Sequence, residues 1–298
     1  MKKTLIVLLL LLFTFYSCAE SEKVNESTEK PKQEESNPSL SKEPTPENNE
    51  TPEDIITNKD ESVAETNKPA TVDEIIDFAN NLKIDTSMTA FSLENVLPEA
   101  QLPLTEDAGD EYQNSTAYLG DSVTMGLAFF KNHPSDMVIA KGSINPLDAV
   151  EKELIELEDG SSVNFPVALS MTGAKRAVLT FGSNAISIMS EEVFLKYYIK
   201  LLDAIEEKCP DCEIIIQSIT PLATTCKLKK LNNELVNRSN LLLLVLAYSR
   251  NIKFLDSTAH MKDENGYLKI EYCSSDDGIH INEAGYKIWI DMLRTHKL

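Results

Sequence analysis

Glycine is scarce in this chain of 298 residues: there are ten, and all of them lie at or after Gly109. Glycine supplies the backbone conformations that tight turns need, so the tightly turned, globular part begins near that point. Histidine is scarcer. His133, His260, His280 and His296 are the only four, which leaves few side chains suited to general-base work near neutral pH. Basic residues also fall short, with 28 Lys and Arg against 48 Asp and Glu and a formal net charge of −20. Such an excess argues against nucleic acid or an anionic bilayer as partner of the acidic region. Long hydrophobic runs are missing as well. Leu5 to Phe15 and Leu241 to Leu246 are both too short to be stable membrane spans.

What is present divides the chain into four parts. Residues 1–18 have a charged start, Met1-Lys2-Lys3, then a short apolar stretch and Ser17-Cys18-Ala19, the pattern of an export signal. Its end resembles a bacterial lipobox, which would make Cys18 a lipidated N-terminus that anchors the protein to a membrane without crossing it. Residues 19–70 hold 14 acidic and six basic side chains, six prolines and no glycine. So little apolar surface cannot offset the entropy of ordering, and a disordered, self-repelling tether is expected. Residues 71–113 open with capping-box spacing, Thr71-Val72-Asp73-Glu74, ahead of Ile75, Ile76, Phe78, Ala79 and Leu82, a short amphipathic helix followed by an arm. Residues 114–298 are long enough for one domain with one core.

Within that domain apolar strands alternate with helices. Strands are expected at Ala117–Gly120, Met137–Gly142, Ala177–Gly182, Glu213–Ile219 and Ile252–Asp256, and helices at Glu191–Lys208, Lys227–Arg250 and Glu283–Lys297. This alternation predicts a three-layer α/β/α sandwich around a mostly parallel sheet of about five strands.

Four short stretches carry chemistry. Gly120-Asp121-Ser122 closes the first strand where a helix begins, so Ser122 is a candidate nucleophile close to unpaired N–H groups and the positive end of a helix dipole; it is equally placed to be a plain N-cap. Asp277-Gly278-Ile279-His280 sets a carboxylate three residues before an imidazole, able to supply a base and the anion that orients it, or simply to cap the last helix. Gly142 and Asn184 close two further strands and offer a backbone N–H and an amide N–H, donors that suit an oxyanion and that also occur in ordinary turns. No Gly-x-Ser-x-Gly elbow occurs, which sets the chain apart from the α/β-hydrolases proper.

In this order the four stretches resemble the SGNH (GDSL-like) hydrolase family, over roughly Thr116 to Leu298. The resemblance implies a flavodoxin-like fold and a serine esterase, with catalytic Ser122, His280 and Asp277 and an oxyanion hole formed by Ser122, Gly142 and Asn184. Family members often carry an acidic residue after the asparagine, where Ala185 stands here; that position bears on substrate preference and not on the triad. The implied activity is removal of small acyl groups, acetyl above all, from a carbohydrate or cell-wall glycan by an exported, envelope-anchored enzyme. An O-acyltransferase acting on an envelope glycan would use the same residues, and a non-catalytic glycan-binding lipoprotein would use only the scaffold.

Once Cys18 is set aside, Cys209, Cys212, Cys226 and Cys273 remain, an even number compatible with two disulfides in an exported chain. Cys226 and Cys273 both fall on the catalytic edge of the sheet, where a bridge could fix the histidine loop. Cys209-Pro210-Asp211-Cys212 has no second Cys or His pair at ligand spacing, so no metal is expected, and the ester chemistry calls for no cofactor.

Overall fold

The structure, a computed structural model, describes residues 68–274 and 277–298. The leader, Cys18 and the tether up to residue 67 lie outside the described residues. In chain order the strands are β1 (Thr116–Gly120), β2 (Val138–Ala140), β3 (Ile155–Glu156), β4 (Ser162–Val163), β5 (Arg176–Thr180), β6 (Glu213–Gln217) and β7 (Lys253–Leu255). The helices are α1 (Val72–Asn81), α2 (Gly109–Asn114), α3 (Ser122–Phe129), α4 (Pro146–Glu151), α5 (Phe165–Thr172), α6 (Ser183–Ile186), α7 (Glu191–Lys208), α8 (Asn233–Arg250), α9 (Thr258–Met261) and α10 (Glu283–Thr295). β3 and β4 form a small antiparallel pair; the other five strands form one parallel sheet in the order β2-β1-β5-β6-β7.

Parallel strands covered on both faces need apolar side chains on both faces, and every residue of β1 and β5 is buried. Alternate residues sort into two cores. Ala117, Leu119, Ala177, Leu179, Ile214 and Ile216 share one with α5, α7 and α8. Tyr118, Val178, Ile215 and Leu255 share the other with α3 and α10, where Val123, Leu127, Trp289 and Leu293 meet them. The expected α/β/α sandwich is therefore the observed one.

β1 has β2 on one side and β5 on the other, so the strand order reverses there, and ligand crevices in open α/β sheets form at the carboxyl ends of strands at such a switch point. The register aligns Gly120 with Ala140 and with Thr180. The loops that follow these three residues carry Ser122, Gly142 and Asn184. Pairing register alone thus gathers three sequence-distant positions at one edge.

One expectation needs correcting. Residues 227–232 form an exposed loop and not the first turns of a helix; α8 starts at Asn233 because the Asn232 side chain accepts the Leu235 N–H and caps it there. The run Leu241–Leu246 is buried throughout; α1 packs over α8, and its Ile75 and Ala79 enter the same core. Beyond α1 the chain runs along the sheet edge: Leu102 N–H donates to Phe254 O at 2.9 Å and Phe254 N–H to Ala100 O at 2.8 Å. This stretch occupies the hydrogen-bonding edge of β7, which would otherwise be open to pairing with another chain. Among the described residues no helix is long and apolar enough to cross a membrane.

Candidate active site

The site is built from the turn after β1. Gly120 has no substitute there, because a Cβ would stand 2.0 Å from Thr124 Oγ1 and 2.4 Å from Thr180 Oγ1. Those two hydroxyls are themselves hydrogen-bonded at 2.5 Å, which ties α3 to β5. Asp121 caps α3, its carboxylate accepting the Val123 N–H at 3.0 Å. Ser122 follows as the first residue of the helix, half-buried, with its hydroxyl at the mouth of the site.

The histidine comes from the opposite end of the chain. Gly278 holds φ +72°, a left-handed conformation that reverses the backbone after Asp277. The reversal lets Asp277 Oδ1 accept the N–H groups of Ile279 and His280, at 2.8 and 3.1 Å, while Oδ2 faces His280 Nδ1 at 2.7 Å. His280 Nε2 lies 3.0 Å from Ser122 Oγ. A carboxylate only accepts, so Nδ1 carries the proton and donates to Asp277, and Nε2 is left to accept from the serine hydroxyl. Burial pushes the Asp277 carboxyl up, but the bonds from the His280 ring and the two amides outweigh it and hold the group below its ordinary range.

Gly142 and Asn184 also come to this place. A Cβ added to Gly142 would lie 4.0 Å from Ser122 Cβ, so the glycine stands close to the serine. Asn184 Nδ2 donates to Asp121 Oδ2 at 3.2 Å. An amide nitrogen has two protons, so one is spent on Asp121 and its geometry fixes the direction of the other. Ala185, at the position next to it, is buried in the core.

Asp121 is the residue that sequence reasoning left without a role. It is 1% exposed, and burial raises its carboxyl to about 6 against the opposing pull of the Val123 N–H, His280 and Asn184. The signal was present: an aspartate before the first residue of a helix is a strong N-cap. Its reach to Asn184 depends on the neighbouring strand and could not be read from the motif. Tyr286 was missed in the same way; its hydroxyl donates to Val123 O at 2.5 Å, and its ring fills the space a side chain at Gly126 would need.

The Cys226–Cys273 bridge is not formed, since Cys226 is a free thiol. Backbone contacts fix the histidine loop instead. Ala223 N–H donates to Gly278 O at 2.9 Å, and Gly278 packs so closely that a Cβ there would come within 2.3 Å of Cys226 N. Cys209 and Cys212 are also thiols, the latter pushed up to about 12 by burial. Among the described residues no group of three or more His, Cys, Asp or Glu side chains is arranged to hold a metal ion.

The triad is open to solvent, with the side chains of His280 and Asp277 at 36% and 41% exposure. Beneath it, among Asp121, Thr180, Ser183, Ser218, Thr220 and Trp289, lies a cavity of about 10 Å³. That is room for about one water molecule, not for an acyl tail.

Residues 150–293 match the family model GDSL-like Lipase/Acylhydrolase, a range that includes Asn184, Asp277 and His280 and begins after Ser122 and Gly142. Solved structures similar to this chain include a GDSL-like lipase from Bacteroides thetaiotaomicron, at 15% identity over 62% of this chain and 88% of that one, TM-score 0.44. A lipase/acylhydrolase from Enterococcus faecalis is similar at 16% identity over 60% and 92%, TM-score 0.42. A carbohydrate esterase family 3 protein from Talaromyces cellulolyticus is similar at 13% identity over 60% and 93%, TM-score 0.40. A search of curated proteins finds no match to this sequence.

Proposed function

We propose that the chain is an ester hydrolase of the GDSL-like lipase/acylhydrolase type, a reading supported by the family match over residues 150–293, and that Ser122, His280 and Asp277 are its catalytic triad, acting on small acyl esters of a carbohydrate or cell-wall glycan. The hydrogen-bonded row from Asp277 through His280 to Ser122, at 2.7 and 3.0 Å, carries this reading.

In the mechanism it supports, the ester carbonyl lies over Ser122 Oγ. His280 Nε2 takes the hydroxyl proton as Oγ attacks, and Asp277 steadies the imidazolium that forms. The oxyanion sits at the start of α3, facing the Ser122 and Gly142 N–H groups and the second N–H of Asn184. His280 returns the proton to the departing alcohol, and the C–O bond to the carrier breaks. Water then enters, is deprotonated by the same imidazole, and frees the acid from Ser122.

The solvent exposure of His280 and Asp277 leaves room for an ester carried on a bulky glycan. The proposed address rests on the leader: Cys18, once lipidated, would tether the enzyme to the envelope through residues 19–70.

Labelling by a fluorophosphonate probe tests the nucleophile. The wild-type chain is expected to label stoichiometrically and Ser122→Ala not at all. Label retained by the variant would reassign the nucleophile.

A further inference from the structure

The loop from β6 to α8 passes the histidine turn before it reaches the helix. Its backbone touches Gly278 at Ala223 and Cys226, two residues ahead of His280. Directly after that contact come Lys227, Leu228, Lys229 and Lys230, all exposed. None of the three lysines makes an ion pair or hydrogen bond to a described residue. Five other lysines, Lys152, Lys175, Lys200, Lys208 and Lys287, each pair with a carboxylate. In a chain of net charge −20 three neighbouring ammonium groups thus lie without an ion pair to a described residue, on the loop that touches the histidine turn.

The loop is held in place. The Asn233 amide bonds both the N–H and the O of Leu222, at 2.7 and 2.9 Å, Leu231 is buried at the far end, and Asn232 caps α8. The lysines are therefore displayed at a set place. Counting along the chain from Ser122 through His280 and Gly278, Cys226 stands within roughly 20 Å of the serine, and Lys227 follows it directly. An ester small enough to occupy Ser122 alone does not reach them. A polymer lying across the open triad does.

We propose that Lys227, Lys229 and Lys230 bind an acidic glycan, a polysaccharide with fixed anionic groups along its length, and draw its acyl esters over Ser122. The proposal rests on the esterase reading above. An anionic bilayer is the less suitable occupant: Leu228 is the one exposed large hydrophobic side chain on the loop, and the domain behind it carries more acid than base. Nucleic acid offers no acyl ester to cleave.

The test uses the full chain on two O-acetylated polysaccharides, one acidic and one neutral. The wild type is expected to show a kcat/KM about tenfold higher on the acidic one at low salt, mostly through KM, with the ratio falling towards unity as salt screens exposed charges. The triple variant Lys227→Gln, Lys229→Gln, Lys230→Gln is expected to bring the ratio to unity at low salt, and the corresponding triple arginine variant to keep it. A flat ratio in the wild type, or a ratio unmoved in the glutamine variant, overturns the proposal. So does a glutamine variant that keeps its glycan ratio but no longer sediments with phosphatidylglycerol vesicles, an outcome that makes the loop a membrane contact. Ser122→Ala separates the two levels. If it is inert while the wild-type ratio is flat, only the loop proposal falls; if it still cleaves both glycans, or the wild type cleaves neither, the esterase assignment fails and the loop proposal with it.

Discussion

Asp277 and His280 sit on one short turn, and the chemistry they support depends on which nitrogen of the ring carries the proton. With Asp277 accepting from Nδ1 at 2.7 Å, Nε2 is free to take the serine proton. Asp277→Asn loses that constraint and can present its own N–H to the ring, so kcat on a soluble acetyl ester is expected to fall roughly 10³- to 10⁴-fold with little change in KM. Asp121 makes a different kind of statement, about stability. Its folded-state carboxyl, at about 6, lies above its ordinary value of 3.8, so the native protein holds a proton there that the unfolded chain has already released. The stability this provides is complete below pH ~4 and lost as pH rises through about 6. Relative to Asp121→Asn, which keeps the cap, the wild type is expected to lose up to about 3 kcal/mol across that window, measured by urea unfolding at a series of pH values. Equal slopes for the two proteins would show that Asp121 does not titrate there. Asp277 works in the opposite direction: its lowered carboxyl adds stability above its ordinary value of 3.8, lost as pH falls through the folded one. The motif residues themselves were legible in the sequence because each is a short local pattern. The Asp121–Asn184 bond was not, because its partners are 63 positions apart and meet only through the pairing of β1 with β5.

At the scale of elements, two loops meet by backbone contact where a disulfide was expected. Gly278 is the joint, with φ +72° and Cys226 N in the space of a Cβ. Gly278→Ala is expected to cost about 1–3 kcal/mol and to lower kcat more than the stability loss explains, since moving the turn moves His280. Thermal melts read beside kcat would show it; a variant with native activity would mean the turn is not under that constraint. The helix α1 illustrates the limits of local pattern. Its capping box was readable from Thr71 and Glu74, and both halves of the box are formed. That its apolar face packs over α8, burying the whole run Leu241–Leu246, was not readable, since periodicity identifies an apolar face but not the surface it covers. Ile75 is 1% exposed in that interface, and Ile75→Ala is expected to destabilise the protein by about 2–5 kcal/mol. The loop 227–232 was misread as helix because Lys and Leu are good helix formers; the Asn232 cap decides the boundary.

For the whole molecule, charge and address separate from catalysis. Most of the excess acid lies before residue 111, and the candidate catalytic residues Ser122, Asp277 and His280 lie after it. A chain begun at Lys68 is expected to keep the melting temperature and the kcat on a soluble ester of the full protein. One begun at Leu102 loses α1 and part of the strand-like cover of β7 and is expected to melt well below it. Cys18→Ser is expected to move the protein from the membrane fraction to the soluble one with kcat unchanged; a variant still in the membrane fraction would refute lipid anchoring at that residue.

The class of fold was settled by the linear sequence, because fully apolar strands alternating with helices have one stable arrangement, a parallel sheet covered on both faces. The candidate triad residues were visible there too, because Gly-Asp-Ser and Asp-x-x-His are local patterns that need no partner to be seen. Tertiary structure alone decided that β1 lies between β2 and β5, which brings Gly120, Ala140 and Thr180 side by side and their loops around one point. It alone set Asn184 against a buried carboxylate, replaced an expected disulfide by a glycine contact, and brought the loop after β6 against the histidine turn at Ala223 and Cys226. Each of these depends on contacts between residues far apart in the chain, which only the folded packing of the sheet and its helices creates.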